Sequence, residues 1–299
     1  MTNHLRFQLL GEFGLFSSGS RLTVAIPGRE QNLLAFLVVH RAAPQLRQQI
    51  AFSFWPDSSE AQARTNLRNI LHSLRRLVPA ADDALLAEST TLQWRPDAAI
   101  EVDVIAFEQA IATDRLPEAT SLYVGDLLPA CYDDWIQPER DRLRDLFISA
   151  SARMTSAMEA QRDYAGALVH AKRMLLADRL REESHRAVIR LHILRGDRAG
   201  AMRAYHACAD ILLRELQVEP DPETRLIYER LLMTTRATGA NGAAPRRATG
   251  AGRLIGRVQE WQNIVNAWQS SDSGRSGLLL ITGDAGIGKT RLAEEAIEW

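Results

Sequence analysis

SEAQARTNLRNILHSLRRLV, residues 59 to 78, decides how the rest of the chain is read. At the helical period its apolar residues Ala63, Leu67, Ile70, Leu71, Leu74 and Leu77 form one stripe wide enough to bury against a core. Ser59 followed by Gln62 has the spacing of a capping box, which would fix the helix start. The opposite face carries Thr65, Arg68, Asn69, His72 and Arg76, with Arg64 and Arg75 flanking it. Glu60, the segment's one acid, lies in the first turn, where it suits the helix dipole. A buried stripe backed by cations, amides and a hydroxyl is what a helix that reads a DNA major groove requires. Arg can meet guanine edges or phosphates, Asn can pair with adenine, and Thr can touch a thymine methyl. A surface helix with merely solvated arginines would show the same face, so the surroundings decide.

The whole chain sets broad bounds. Its 299 residues suffice for two or three domains, and 46% hydrophobic with 24% charged residues is ordinary for a soluble globular protein. A formal net charge of −1 gives no bulk attraction to nucleic acid or anionic lipid, so DNA binding must come from a local patch. Cys131 and Cys208 stand far apart with no metal-ligand spacing, and read as reduced, inert thiols. With no apolar run of membrane-spanning length and no signal-peptide layout, a cytoplasmic protein with no membrane contact is expected.

Before the quoted stretch, Leu5, Phe7 and Leu9 alternate with Arg6 and Gln8 as a half-buried strand. A second strand is expected over Phe13–Phe16 and, after the Ser17–Ser20 turn, a third over Leu22, Val24 and Ile26. QNLLAFLVVH, residues 31 to 40, is apolar enough for a central helix. Leu46 to Phe54 reads as a shorter helix stopped at Trp55-Pro56. After it, Leu85-Leu86 and Leu92/Trp94 flank Glu88-Ser89-Thr90 as a hairpin. Small sheet, three helices and hairpin make a winged helix-turn-helix over residues 1–100, with the third helix in the groove and the hairpin as wing.

LRFQLLGEF, GREQNLLAFLVVH and FWPDSSEAQARTNLRNILHSLRR resemble the OmpR-type winged-helix domain of SARP-type bacterial transcriptional activators. The resemblance implies DNA binding by the helix Ser59–Val78 and contact of the Trp55–Ser58 loop with RNA polymerase. The wing, AESTTLQW, departs from the pattern: it has no glycine and no basic residue before Arg95.

Over residues 101–233 the reading is helical. Asp103 can cap a helix through Ala112, a loop region GDLLPACYDDW follows, and helices are expected near 138–161, 164–177, 182–195, 198–216 and 222–233. RDYAGAL at Arg162–Leu168 echoes GDRAGAM at Gly196–Met202 at an offset of 34 residues, the period of tetratricopeptide (TPR)-like helical hairpins. Small residues such as Ala167 and Ala201 would let paired helices approach closely. LLADRLREESHRAVIRLHILRGDRAGAMRAY and LRELQVEPDPETRLIYERLL are similar to the bacterial transcriptional activator domain of SARP-type proteins. That likeness implies a docking surface with no chemistry of its own. His170, His185, His192 and His206 share no metal geometry, and Asp133, Asp134 and Glu139 read as loop and helix-start charges. No catalytic residues are expected.

Residues 234–252 read as a flexible linker. In 253–299 a buried strand over Gly277–Thr282 runs into Gly283-Asp284-Ala285-Gly286-Ile287-Gly288-Lys289-Thr290, the spacing of a P-loop. Gly283, Gly286 and Gly288 would let backbone N–H groups cradle phosphates, Lys289 would reach the β- and γ-phosphates, and Thr290 would hold Mg²⁺. GRVQEW resembles the entry of STAND-type (AAA-like) signalling ATPases. One strand and two helices are too little to enclose a nucleotide, so these residues are expected neither to hydrolyse ATP nor to bind it well. The chain then reads as the first part of a longer regulator whose full length uses ATP and Mg²⁺, with no cofactor in this fragment and no enzyme activity.

The fold class expected is mainly α with small β: a winged helix, a TPR-like repeat, then a partial P-loop α/β segment. The function expected is a sequence-specific transcriptional activator acting on double-stranded DNA and RNA polymerase. Homodimers would occupy half-sites about one helical turn apart. The alternative is a STAND-type NTPase switch whose winged helix mainly makes protein contacts.

Overall fold

The computed structural model describes residues 4–95, 97–241 and 263–264. The P-loop, with Lys289 and Thr290, and the later part of the expected linker lie outside the described residues.

The winged helix opens with β1 (Leu5–Gln8), β2 (Gly14–Ser17) and β3 (Ser20–Arg21). Leu5 and Phe7 bury while Arg6 stays exposed, as their alternation requires. Ser18 (φ 50°) and Gly19 (φ 83°) form the two-residue turn between β2 and β3, both in the left-handed region that twists a hairpin correctly. That tight turn corrects the third strand. Ser17 pairs with Ser20 and Phe16 with Arg21, so pairing begins at the turn; Leu22 still donates its N–H to the Leu15 carbonyl (2.8 Å), and the expected strand does not continue to Val24 and Ile26.

Next come α1 (Gly28–Val39), β4 (Gln45–Leu46), α2 (Arg47–Phe54), α3 (Glu60–Leu77) and the short α4 (Pro79–Asp83). Buried Leu33 to Val38 make α1 the central helix. The wing consists of β5 (Leu85–Ala87) and β6 (Thr91–Trp94) in antiparallel register, Ala87 opposite Leu92. β4 pairs with β6 and ties the wing to the start of α2. β7 (Ile100–Val102) then lies parallel to β1, completing a sheet of order β3-β2-β1-β7.

The remaining helices are α5 (Asp103–Ala112), α6 (Leu116–Leu122), α7 (Ile136–Ala160), α8 (Tyr164–Ala177), α9 (Glu182–Leu194), α10 (Arg198–Leu216) and α11 (Pro222–Asn241). α6 is absent from the sequence reading. α11 runs past the end expected at 233 into the stretch read as linker; no proline interrupts the chain before Pro245. The 34-residue echo is structural. Asp163 and Asp197 both cap their helices, accepting from the backbone N–H of Gly166 (2.9 Å) and Gly200 (2.8 Å), and Ala167 and Ala201 are fully buried.

One hydrophobic core runs from Leu5 of the sheet through α1 to α3 and on to Phe147 of α7. Trp135, just before α7, packs edge-on against Phe36 of α1 with ring centres 5.2 Å apart and stacks on Phe54 of α2. Asp103 is not the helix cap expected of it; Val102 holds that position. One Asp103 oxygen instead accepts from the N–H groups of Leu9 and Leu10, both at 2.8 Å. Asp133 is more than a loop charge: it accepts from Arg29 (2.5 Å) and Asn32 (2.8 Å) of α1. The winged helix and the helices that follow it fall in one compact unit, Met1–Met233.

Candidate nucleic-acid interface

The start of α3 is fixed by Ser59, whose hydroxyl accepts from the N–H of Gln62 at 3.4 Å. Only half of the expected capping box forms, because the Gln62 side chain turns forward to donate to Asn66 at 2.9 Å. Ala63, Leu67, Ile70, Leu71 and Leu74 are buried, which turns the other side of the helix outward. Arg64, Thr65, Arg68, Asn69, His72, Arg75 and Arg76, all seven residues singled out from the sequence, are exposed.

Their local contacts differ. Arg64 pairs with Glu60 one turn back, and Arg75 with Asp82 of α4 at 3.0 Å. Both pairs are exposed, at 57% for Arg64 and 51% for Arg75, so they hold the side chains weakly. Thr65 turns its hydroxyl back to the carbonyl of Ala61. The side chains of Arg68, Asn69, His72 and Arg76 make no hydrogen bond or ion pair among the described residues and are free to meet a ligand.

Sequence reasoning missed Arg47, the first residue of α2, which is half-buried beside this face. Burial, then the guanidinium charges of Arg75 and Arg68, push its pKa below the usual arginine value. An RQQ tripeptide opening a helix carries no signal of its own; only the fold brings Arg47 to α3. A cleft beside α2 mixes apolar side chains with Gln48, Gln49, Ser53 and Glu60. Phe52 is 71% exposed and, with Phe36, Trp55, Pro56 and Ala63, lines this open cleft of about 720 Å³.

No group of three or more His, Cys, Asp or Glu suited to a metal ion occurs among the described residues. Burial pushes the Cys131 thiol up and that of Cys208 to about 12, so both stay protonated. No helix among the described residues is long and apolar enough to cross a membrane.

Fold and site define a winged helix-turn-helix module that shares its core with a helical-repeat segment. That segment, residues 103–232, matches the family model of the bacterial transcriptional activator domain. The chain is 24% identical over 97% of its length to the regulatory protein AfsR of Streptomyces coelicolor, and spans about a third (32%) of that protein. It also resembles the solved structure of Mycobacterium tuberculosis EmbR in complex with a low-affinity phosphopeptide. That match has a TM-score of 0.59 at 20% identity and covers 80% of this chain and 70% of the other. Residues 103–232 thus carry a bacterial transcriptional activator domain, and the likeness to EmbR shows a common fold.

Proposed function

We propose that the chain is the DNA-binding and activator part of a sequence-specific transcriptional activator, with α3 in the major groove. The observation that carries this reading is the outward face of α3, where Arg68, Asn69, His72 and Arg76 stand exposed without partners, among the described residues, over a buried apolar stripe. Arg64, Thr65, Arg68 and Asn69, from the first turns to the middle of α3, would reach base edges; His72, Arg75 and Arg76 would meet phosphate. The Trp55–Ser58 loop would touch RNA polymerase, a reading that the exposed Phe52 beside Trp55 and Pro56 supports. The helical repeat would serve homodimer and partner contacts.

The P-loop sequence Gly283–Thr290 supports a regulator in which ATP and Mg²⁺, held by Lys289 and Thr290, control DNA binding. Turnover of ATP by the 299-residue chain, abolished by Lys289→Ala, would reverse the expectation that these residues alone are inactive.

Selection of bound duplexes from a random pool by the chain, repeated across salt concentrations, tests the main reading. Recovery of one sequence motif, with affinity falling steeply as salt rises, is the expected result. Recovery of no motif at any salt concentration would move the function to protein contacts.

A further inference from the structure

Arg47 is in an unusual electrostatic position. Its side chain makes no hydrogen bond or ion pair among the described residues, and its Nε is sealed from solvent with no acceptor. The charges acting on it are cations, Arg75 and Arg68. Beside it lies a cleft of about 400 Å³ whose lining includes Arg47, Arg64, Arg68, Ser89 and Thr90 and no carboxylate. A half-buried guanidinium facing two others, without an anion, is costly unless a ligand supplies the negative charge.

The position of the cleft points to the ligand. One wall is the N-terminal half of α3, and the other is the turn of the wing, whose Thr90 carbonyl accepts from the N–H of Arg47 at 2.9 Å. A duplex whose major groove receives α3 runs a backbone strand past this seam. The wing itself, Leu85–Trp94, has no basic residue to meet that strand. The cavity also sits at the start of α2, the end at which the helix dipole favours an anion.

We propose that Arg47 holds a DNA backbone phosphate at the seam between the wing and α3, in place of the cationic contact that the wing cannot supply. Arg47 is then a positioning residue: it sets how deeply and at what angle α3 enters the groove, and reads no base. This inference rests on the groove-binding reading of α3.

The test uses the full chain and a duplex carrying the motif recovered by selection. Arg47→Ala is expected to weaken binding to all bound sequences alike, by about five- to tenfold at low salt. It should also flatten the slope of log affinity against log salt by about 0.9, with base preference unchanged. Arg47→Lys keeps the slope, and Arg47→Gln stands in if the alanine variant loses its circular dichroism. Inorganic phosphate is expected to raise the melting temperature of the unsubstituted chain more than that of Arg47→Gln. Equal stabilisation by phosphate, or an unchanged salt slope in a protein that Arg68→Ala still impairs, overturns the phosphate seat and leaves the groove reading intact. Failure of the unsubstituted chain to bind any duplex removes both.

Discussion

Asp103, the first residue of α5, holds Leu10, just past the first strand, by a 2.8 Å hydrogen bond from the Leu10 N–H to its carboxylate. The same oxygen takes the N–H of Leu9, and the other takes that of Val104. Both leucines are fully buried, so their N–H groups depend on the carboxylate for an acceptor within the protein. Asp103→Ala is expected to lower stability by about 1–3 kcal/mol for the donors left unpaired, measured by chemical denaturation. Because the core is continuous across this junction, residues of the winged helix and of α5–α7 should unfold in one transition. Two transitions that already separate in the unsubstituted chain would refute the coupling.

The acid side of the stability profile follows from the helix caps. The backbone N–H of Gly200, then the side chain of His192, hold the Asp197 carboxyl below the usual carboxylate value. Asp221 is lowered in the same sense, first by the N–H of Thr224. A depressed carboxylate binds its proton later in the folded chain than in the unfolded one. Its contribution is therefore present above the unfolded pKa of about 3.9 and is lost as pH falls through the folded value. Asp197→Asn should flatten the loss of stability below about pH 4. An acid limb identical to that of the unsubstituted chain would remove the cap from the account.

Local features were legible in the sequence. The stripe of α3 and the Asp163 and Asp197 caps at an offset of 34 residues are written within a few residues of where they act, and so is the wing's turn at Glu88-Ser89-Thr90. What was not legible depends on partners far along the chain. Asp103 meets Leu9 across 94 positions and Asp133 meets Asn32 across 101, and neither acid differs in its local setting from an ordinary surface charge. β7 has three residues and is a strand only because β1 offers it an edge. Arg47 is noticeable only once the fold surrounds it with Arg68 and Arg75. The half-formed capping box is a milder case, since Asn66 outcompetes the N-cap backbone for the Gln62 amide.

The repeat contains a natural comparison of backbone strain. Arg162 and Gly196 hold equivalent places before Asp163 and Asp197, and both are left-handed, at φ 61° and 71°. Glycine adopts that conformation without penalty, whereas an arginine does so at a cost of about 1 kcal/mol. Arg162 is exposed, so replacing it sacrifices no packing. Arg162→Gly is expected to raise stability by up to about 1 kcal/mol, less the entropy glycine adds to the unfolded chain, and Gly196→Arg to lower it by a similar amount. Thermal melts of the two variants check this; opposite signs for the pair are the required result.

The face of α3 separates two modes of DNA recognition that binding measurements can tell apart. Arg68 and Asn69 lie in its middle, between the buried Leu67 and Ile70, with side chains free of any partner among the described residues. Arg76 lies two turns further on, near the end of the helix, where under the groove-binding reading a side chain would meet the backbone and not a base. If Arg68 reads a base, Arg68→Ala should cost about 1–3 kcal/mol on the preferred sequence and little on others, so that discrimination narrows. If Arg76 holds a phosphate, Arg76→Ala should weaken all sequences by a common factor and reduce the salt slope by about one. Arg64 and Arg75 must first leave Glu60 and Asp82, so their substitution should cost less than that of Arg68. Matched titrations of preferred and scrambled duplexes at two salt concentrations distinguish the patterns. If Arg68→Ala and Arg76→Ala behave alike, α3 does not enter the groove along this axis.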